Sequence, residues 1–354
     1  MLTRRKKIVF ALVAMALAFV GATLLFFVAD LILHARAERS AGLNRHGYRG
    51  PVIGRKQPGE LRVAMVGGST VFGYGVGWNE SIPANLERDL RDRLQRPVTV
   101  ANLGYNNEGA YAFVPNLEDF SYLDYDLVVL YEGYNDLTGD EDVNTSAYRR
   151  QSAIFRLTGY FPILPLYLKE KAMMLRSGND LNAAYDSERH GNRTVFSPGL
   201  ARRTAAGTMT AIGAMANALD TQLLKASTDR PTSPATTSAL GCSSPWLNYC
   251  DAVAAAVRLS RAHGWAVVIG SQPKLLLPHA KDVHMRQQAM LAEMARRTFG
   301  GDAAVIWADL SDAVDLSIPN TTFDAMHLTP QSNAVVAAGL VEPVIKAMAG
   351  AGIK

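Results

Sequence analysis

The sequence predicts an α/β protein, a doubly wound parallel sheet with helices on both faces, behind an N-terminal membrane helix. Two observations predict the sheet. Short apolar runs alternate with stretches of helical length and pattern, and the runs are continuously apolar, as strands buried on both faces must be. A third observation predicts the anchor: residues 8–29 carry no charge and follow a basic tip.

The tip is "RRKK" at 4–7, and the 22 residues of 8–29 are long enough to cross a bilayer as one helix. A cleaved signal peptide has a shorter apolar region, so cleavage after "ARA" (35–37) is the lesser reading. The positive-inside rule keeps Arg4, Arg5, Lys6 and Lys7 in the cytoplasm. The expected topology is single-pass in an inner membrane, with the bulk of the chain periplasmic or extracellular. Residues 30–60 carry charges, Gly and Pro and read as a juxtamembrane linker and lead-in.

"LRVAMV" (61–66) reads as the first strand, ending in glycines. "SIPANLERDLRDRL" (81–94) reads as a helix. Ser81 precedes it, Pro83 lies in its first turn, and Ile82, Leu86, Leu90 and Leu94 share one face. Further strands are expected at 98–104, 125–133, 265–272 and 303–310, and helices at 245–264, 283–300 and 329–350. Gly264 should stop the first of these helices, and Thr329 with Pro330 should start the last. The rhythm breaks over 137–244, which reads as a cap inserted over the site. Within it, 154–175 is aromatic and apolar, 199–224 looks helical, and 227–238 is a Ser/Thr/Pro-rich loop. Cap core is the leading reading of 154–175, a membrane surface the lesser.

Composition removes several classes. A net charge of +4, with the basic excess at the N-terminus and no basic stripe interleaved with aromatics, argues against nucleic acid as a partner. Cys242 and Cys250 are eight apart, without the spacing of a zinc site. They fit either a small-loop disulfide in an oxidising compartment or two buried thiols.

In doubly wound sheets, sites form at the carboxyl ends of strands. Four loops qualify: "GGST" after the first strand, "NLGYNNEG" after the second, "EGYNDL" after the third, and "FDAMHLTP" before the last helix. Of the seven histidines, only His327 has an acid, Asp324, three positions before it. That spacing lets a carboxylate take the Nδ1 proton while Nε2 serves as general base. Ser69, on a glycine turn at a strand end, is the candidate nucleophile. A phosphate loop is disfavoured, because the lysine of that motif is missing and the glycines are out of register. Asn135 offers a side-chain amide to a developing oxyanion, and the glycines of the second loop offer backbone amides.

These segments resemble the blocks of the SGNH (GDSL-type) hydrolase superfamily, in that family's order: "GGST", "GYND" and "DAMH", with "NRHGYRGP" (44–51) similar to a lead-in of membrane-anchored bacterial members. The resemblance covers about 40–136 and 245–350. It implies a three-layer, flavodoxin-like sandwich with a five-stranded parallel sheet. The chain would then divide into an anchor (1–29), a linker (30–60) and a hydrolase-like domain (61–354) holding the insertion 137–244. The resemblance also implies Ser69 as nucleophile, His327 as base and Asp324 as its orienting partner. The oxyanion donors would be the Ser69 amide, the Asn135 side chain and Gly109, with Gly104 as the alternative glycine. The expected activity is hydrolysis of acyl esters of glycans or lipids, without metal or cofactor. An O-acyltransferase acting on a surface glycan and a silent binding protein on the same scaffold are the alternatives.

Overall fold

The computed structural model describes residues 3–40, 42–137, 147–176, 240–243, 245–276 and 278–353. The expected helix at 199–224 and the loop at 227–238 lie outside the described residues. The described residues form two compact units: 3–37 with 152–176, and 38–151 with the C-terminal part from 240.

The larger unit holds five strands: β1 (Leu61–Gly67), β2 (Val98–Asn102), β3 (Leu127–Tyr131), β4 (Ala266–Gly270) and β5 (Val305–Ala308). All neighbours are parallel, in the order β2-β1-β3-β4-β5. This is the flavodoxin-like order, and it explains the apolar runs: β1, β3 and β4 are buried along their whole length. The chain leaves β1 towards β2 on one side and returns as β3 on the other. The crevice outside the carboxyl ends of β1 and β3 is therefore the topological switch point. Gly67 is paired with Tyr131, so both strands end level with each other there.

Helices α3 (Ile82–Leu94) and α9 (Pro330–Gly350) cover one face of the sheet. Ile82, Leu86 and Leu90 of α3 meet Val336, Leu340 and Val344 of α9 and the residues of β1 and β3 that point their way, Val63, Met65, Val129 and Tyr131. On the other face lie α4 (Phe113–Asp119), α7 (Leu247–Ala262) and α8 (Pro278–Phe299). Helix α8 starts at Pro278 rather than at 283, because a proline suits a first helical turn, whose amides have no partner in the helix. Gly264 ends α7 in the left-handed region, at φ 79°. Two short helices escape the sequence reading: α4, and α2 (Ser69–Phe72) directly after β1. Cys242 and Cys250 form a disulfide just ahead of and within α7.

The smaller unit contains α1 (Arg4–Ser40), α5 (Ala153–Thr158) and α6 (Leu164–Arg176). Along 8–29 the side chains of α1 are exposed on every face, as in a helix solvated by lipid. Helix α9 also passes by length and apolar content, but its apolar face lies in the core.

Candidate active site

Ser69 is the first residue of α2, two residues beyond the end of β1 and two glycines after Val66. Each glycine is forced by a different neighbour. A Cβ on Gly67 would lie 2.2 Å from the Tyr131 carbonyl oxygen. One on Gly68 would lie 2.3 Å from Asn135 Nδ2 and 2.4 Å from Glu132 Oε2. The glycines thus let the ends of β1 and β3 close on each other, and Ser69 is turned into the crevice.

The loop before α9 brings His327 to that serine. His327 Nε2 lies 2.8 Å from Ser69 Oγ, and Nδ1 lies 2.6 Å from Asp324 Oδ2. With Asp324 ionised, Nδ1 carries the proton and Nε2 is left to accept from the Ser69 hydroxyl. The other carboxylate oxygen accepts the backbone N–H of His327 at 2.8 Å and of Met326 at 3.2 Å. Burial works against the Asp324 charge, but these amides and the ring hold its pKa below the ordinary value. Ala325 makes the turn by adopting φ 68°, and Thr322 Oγ1 donates to the His327 carbonyl at 2.8 Å.

Tyr74 lies beside His327, ring centroids 4.7 Å apart, and is half exposed. The glycines around it, which the sequence leaves without a role, both have φ 83°. Gly73 caps α2, and a Cβ there would meet Arg49 Nη1 and Ser81 Cβ at 2.8 Å. Gly75 is covered by the ring of Phe323.

Asn135 Nδ2 donates to the Glu108 carbonyl at 2.9 Å, which brings the third loop against the second one residue before Gly109. The second Nδ2 proton and the Ser69 amide have no partner among the described residues, whereas the Gly109 amide is directed at the Tyr111 hydroxyl. Gly104 differs. Its amide donates to Asn102 Oδ1 at 3.1 Å, and its Cα packs behind α2, where a Cβ would lie 2.5 Å from the Phe72 amide nitrogen. The Gly104 amide is thus held by Asn102 behind α2, and the Gly109 amide only by the Tyr111 hydroxyl two residues on.

Four side chains that the sequence reading passed over hold these loops together. Glu132, buried at the end of β3, accepts the Gly68 amide on Oε2 at 2.6 Å, and the Gly133 and Asn135 amides on Oε1 at 2.9 and 3.0 Å. One carboxylate thus ties the residue before Ser69 to the backbone of Asn135. Asp136 accepts the Ala110 amide at 3.0 Å, beside Gly109. Burial raises the pKa of both carboxyls, and Glu132 pushes Asp136 up further. Gln272, just past β4, donates to Thr70 Oγ1 and accepts the Tyr134 amide, each at 2.9 Å. Arg49, from the lead-in, donates to the carbonyls of Phe72, Gly73 and Val76 and lies 4.4 Å over the Phe72 ring. A readable signal existed for Glu132: an acid ending a buried strand must find hydrogen bonds.

No family model and no curated protein matches the sequence. Among solved structures, the chain is similar to a member of the lipolytic protein G-D-S-L family from Veillonella parvula (10% identity, 80% of this chain and 97% of that one, TM-score 0.42). It is also similar to a GDSL-like lipase from Bacteroides thetaiotaomicron (14%, 83% and 93%, TM-score 0.39) and an acetylxylan esterase from Geobacillus stearothermophilus (9%, 80% and 94%, TM-score 0.42).

Proposed function

We propose that the chain is a membrane-anchored serine ester hydrolase. The observation that carries this reading is the unbroken hydrogen-bonded chain Ser69–His327–Asp324 at the switch point of the sheet. His327 removes the Ser69 proton as Oγ attacks the ester carbonyl carbon. Asp324 keeps Nδ1 protonated and stabilises the imidazolium that forms. The carbonyl oxygen becomes an oxyanion, met by the Ser69 amide, the Gly109 amide and the free Asn135 Nδ2 proton. One such donor is worth on the order of 3 kcal/mol. The intermediate then expels the alcohol, which takes the proton from His327 Nε2, and leaves Ser69 acylated. Water enters, gives a proton to His327 as its oxygen attacks the acyl carbon, and the bond to Ser69 Oγ then breaks as His327 returns that proton to Oγ, releasing the acid and free Ser69. Gly109 is preferred to Gly104 because it follows Glu108, whose carbonyl takes the Asn135 amide, whereas the Gly104 amide is engaged by Asn102 behind α2. The apolar helix α1 supports an anchor, and the basic tip supports a topology that leaves the remainder of the chain periplasmic or extracellular.

Ser69→Ala should lower p-nitrophenyl acetate hydrolysis by about 10⁴-fold or more and abolish labelling by a fluorophosphonate probe. Undiminished hydrolysis would sink the reading. Product analysis with added glycan separates its two chemistries: free acid marks a hydrolase, acylated glycan a transferase.

A further inference from the structure

The outer end of α1 holds two buried polar side chains that an isolated membrane helix has no use for. Phe27, Asp30 and His34 are spaced three and four apart and share one face. Asp30 and His34 are 4% and 3% exposed, while Phe26, Leu31 and Ile32 between and beside them stay open. The residues that cover this face come from the turn between α5 and α6. Asp30 Oδ1 accepts the amides of Ile163 (2.9 Å) and Leu164, at the start of α6, and Oδ2 accepts the Tyr160 hydroxyl. His34 Nε2 donates to the Phe161 carbonyl at 2.8 Å. The Tyr160 ring packs against Phe27, centroids 5.4 Å apart.

These contacts fix a depth. Residues 8–29 rise about 33 Å as a helix, close to the thickness of a bilayer's hydrocarbon core. Phe27 is two residues, about 3 Å, from the end of that run. The ring against it therefore lies where hydrocarbon gives way to headgroups, the level at which Tyr is enriched. Asp30 is the first residue beyond the run, and its lone pairs are taken by two amides and a hydroxyl. Leu157 is 60% exposed, and Tyr167 is 42% exposed with Lys171 Nζ 5.4 Å from its ring. An apolar residue, a tyrosine and a lysine fit the boundary between acyl chains and anionic headgroups.

We propose that residues 157–167 form an interfacial collar, folded back on α1 and resting in the headgroup layer of the outer leaflet, with Asp30 as its clasp. The collar rests on the reading of α1 as a membrane span. It explains a carboxylate at the membrane boundary without assigning it to proton or ion passage.

The test uses the full chain in phosphatidylcholine–phosphatidylglycerol vesicles, with Leu157→Trp as reporter and the four native tryptophans subtracted through the parent protein. A nitroxide held near the lipid carbonyls should quench the added indole about twofold more than one near the chain ends. Asp30→Ala in the reporter background should reduce that shallow quenching by about half or more, because the amides of 163 and 164 lose their acceptor. The clasp is overturned if quenching is unchanged in Asp30→Ala. Chain retained in the membrane after alkaline carbonate, with its reporter unquenched, overturns the collar but leaves the span. Release of the intact chain by carbonate overturns both, and labelling of Ser69 by the fluorophosphonate probe remains an independent measure of the hydrolase reading.

Discussion

The two halves of the proposed active site are built in opposite ways. The half that holds Ser69 and the oxyanion donors is tied across long stretches of chain, with Ser69, Gly109 and Glu132 buried and Asn135 at the surface. Glu132 reaches back 64 residues to Gly68, and Gln272 reaches 202 residues to Thr70. The half that supplies the base is a local turn closed on itself. The Asp324–His327 contacts span three residues, and the Asp324 side chain is 47% exposed. Charge stabilisation needs donors that do not reorganise during the reaction, so its half is locked into the sheet. The base must only be oriented, and a short turn does that.

If this contrast is right, disturbing the locked half should harm catalysis more than disturbing the turn. Glu132→Gln puts an amide group against backbone donors in a site with no room to rotate away. Its kcat should fall by about 10²-fold with KM changed by less than about threefold, and fluorophosphonate labelling should slow in proportion. An equal rise in KM would make Glu132 merely structural.

Asp324→Ala should cost less, about tenfold to a hundredfold in kcat/KM, because removing a half-exposed side chain lets water reach Nδ1 and replace part of the hydrogen bond. A loss larger than that of Glu132→Gln would invert the comparison.

The remaining effect falls on stability and leaves both halves of the site alone. His284 on α8 is buried with its ring 4.9 Å from that of Tyr134, behind the Asn135 loop, and burial lowers its pKa from 6.5 to about 4. Between those values the unfolded chain binds the proton and the folded chain does not, so stability falls as pH drops from 6.5 towards 4. The full window is worth roughly 3 kcal/mol. Urea midpoints of His284→Phe should lose this acid slope. An unchanged slope would mean that His284 is not its source.

The same contrast governs what the sequence discloses. The strands, α3, α7 and α9 were legible because each carries its own period and end signals: the β-branched apolar runs, Ile82 to Leu90 on one face, Gly264, Thr329 and Pro330. Asp324 and His327 were legible because their relation is a spacing of three. Gln272 and Arg49 were not, because each acts on residues that only the completed sheet brings near; Glu132 was readable as a buried acid in need of donors, but not as the tie between Gly68 and Asn135. The choice between Gly109 and Gly104 was equally closed, since it depends on whether Asn102 engages an amide. Helix α2 escaped because four residues are too few to show a period.

Three glycines illustrate how far such contacts reach into the tolerance of the chain to change. Alanine at Gly67 would collide with a backbone carbonyl, so no compensating side chain exists. At Gly68 the obstacles are the Asn135 and Glu132 side chains and, at 2.7 Å, the Glu108 carbonyl that takes the Asn135 amide, so relief would dismantle the oxyanion site. At Gly109 the obstacle is the Asp136 side chain, 2.5 Å from where an added methyl would sit. Of the three, Gly109→Ala alone has a rescuing partner, a shortened residue at 136. The three positions would look alike as fixed glycines in a single-substitution screen, and only pairwise epistasis would separate a main-chain barrier, a functional barrier and a negotiable one.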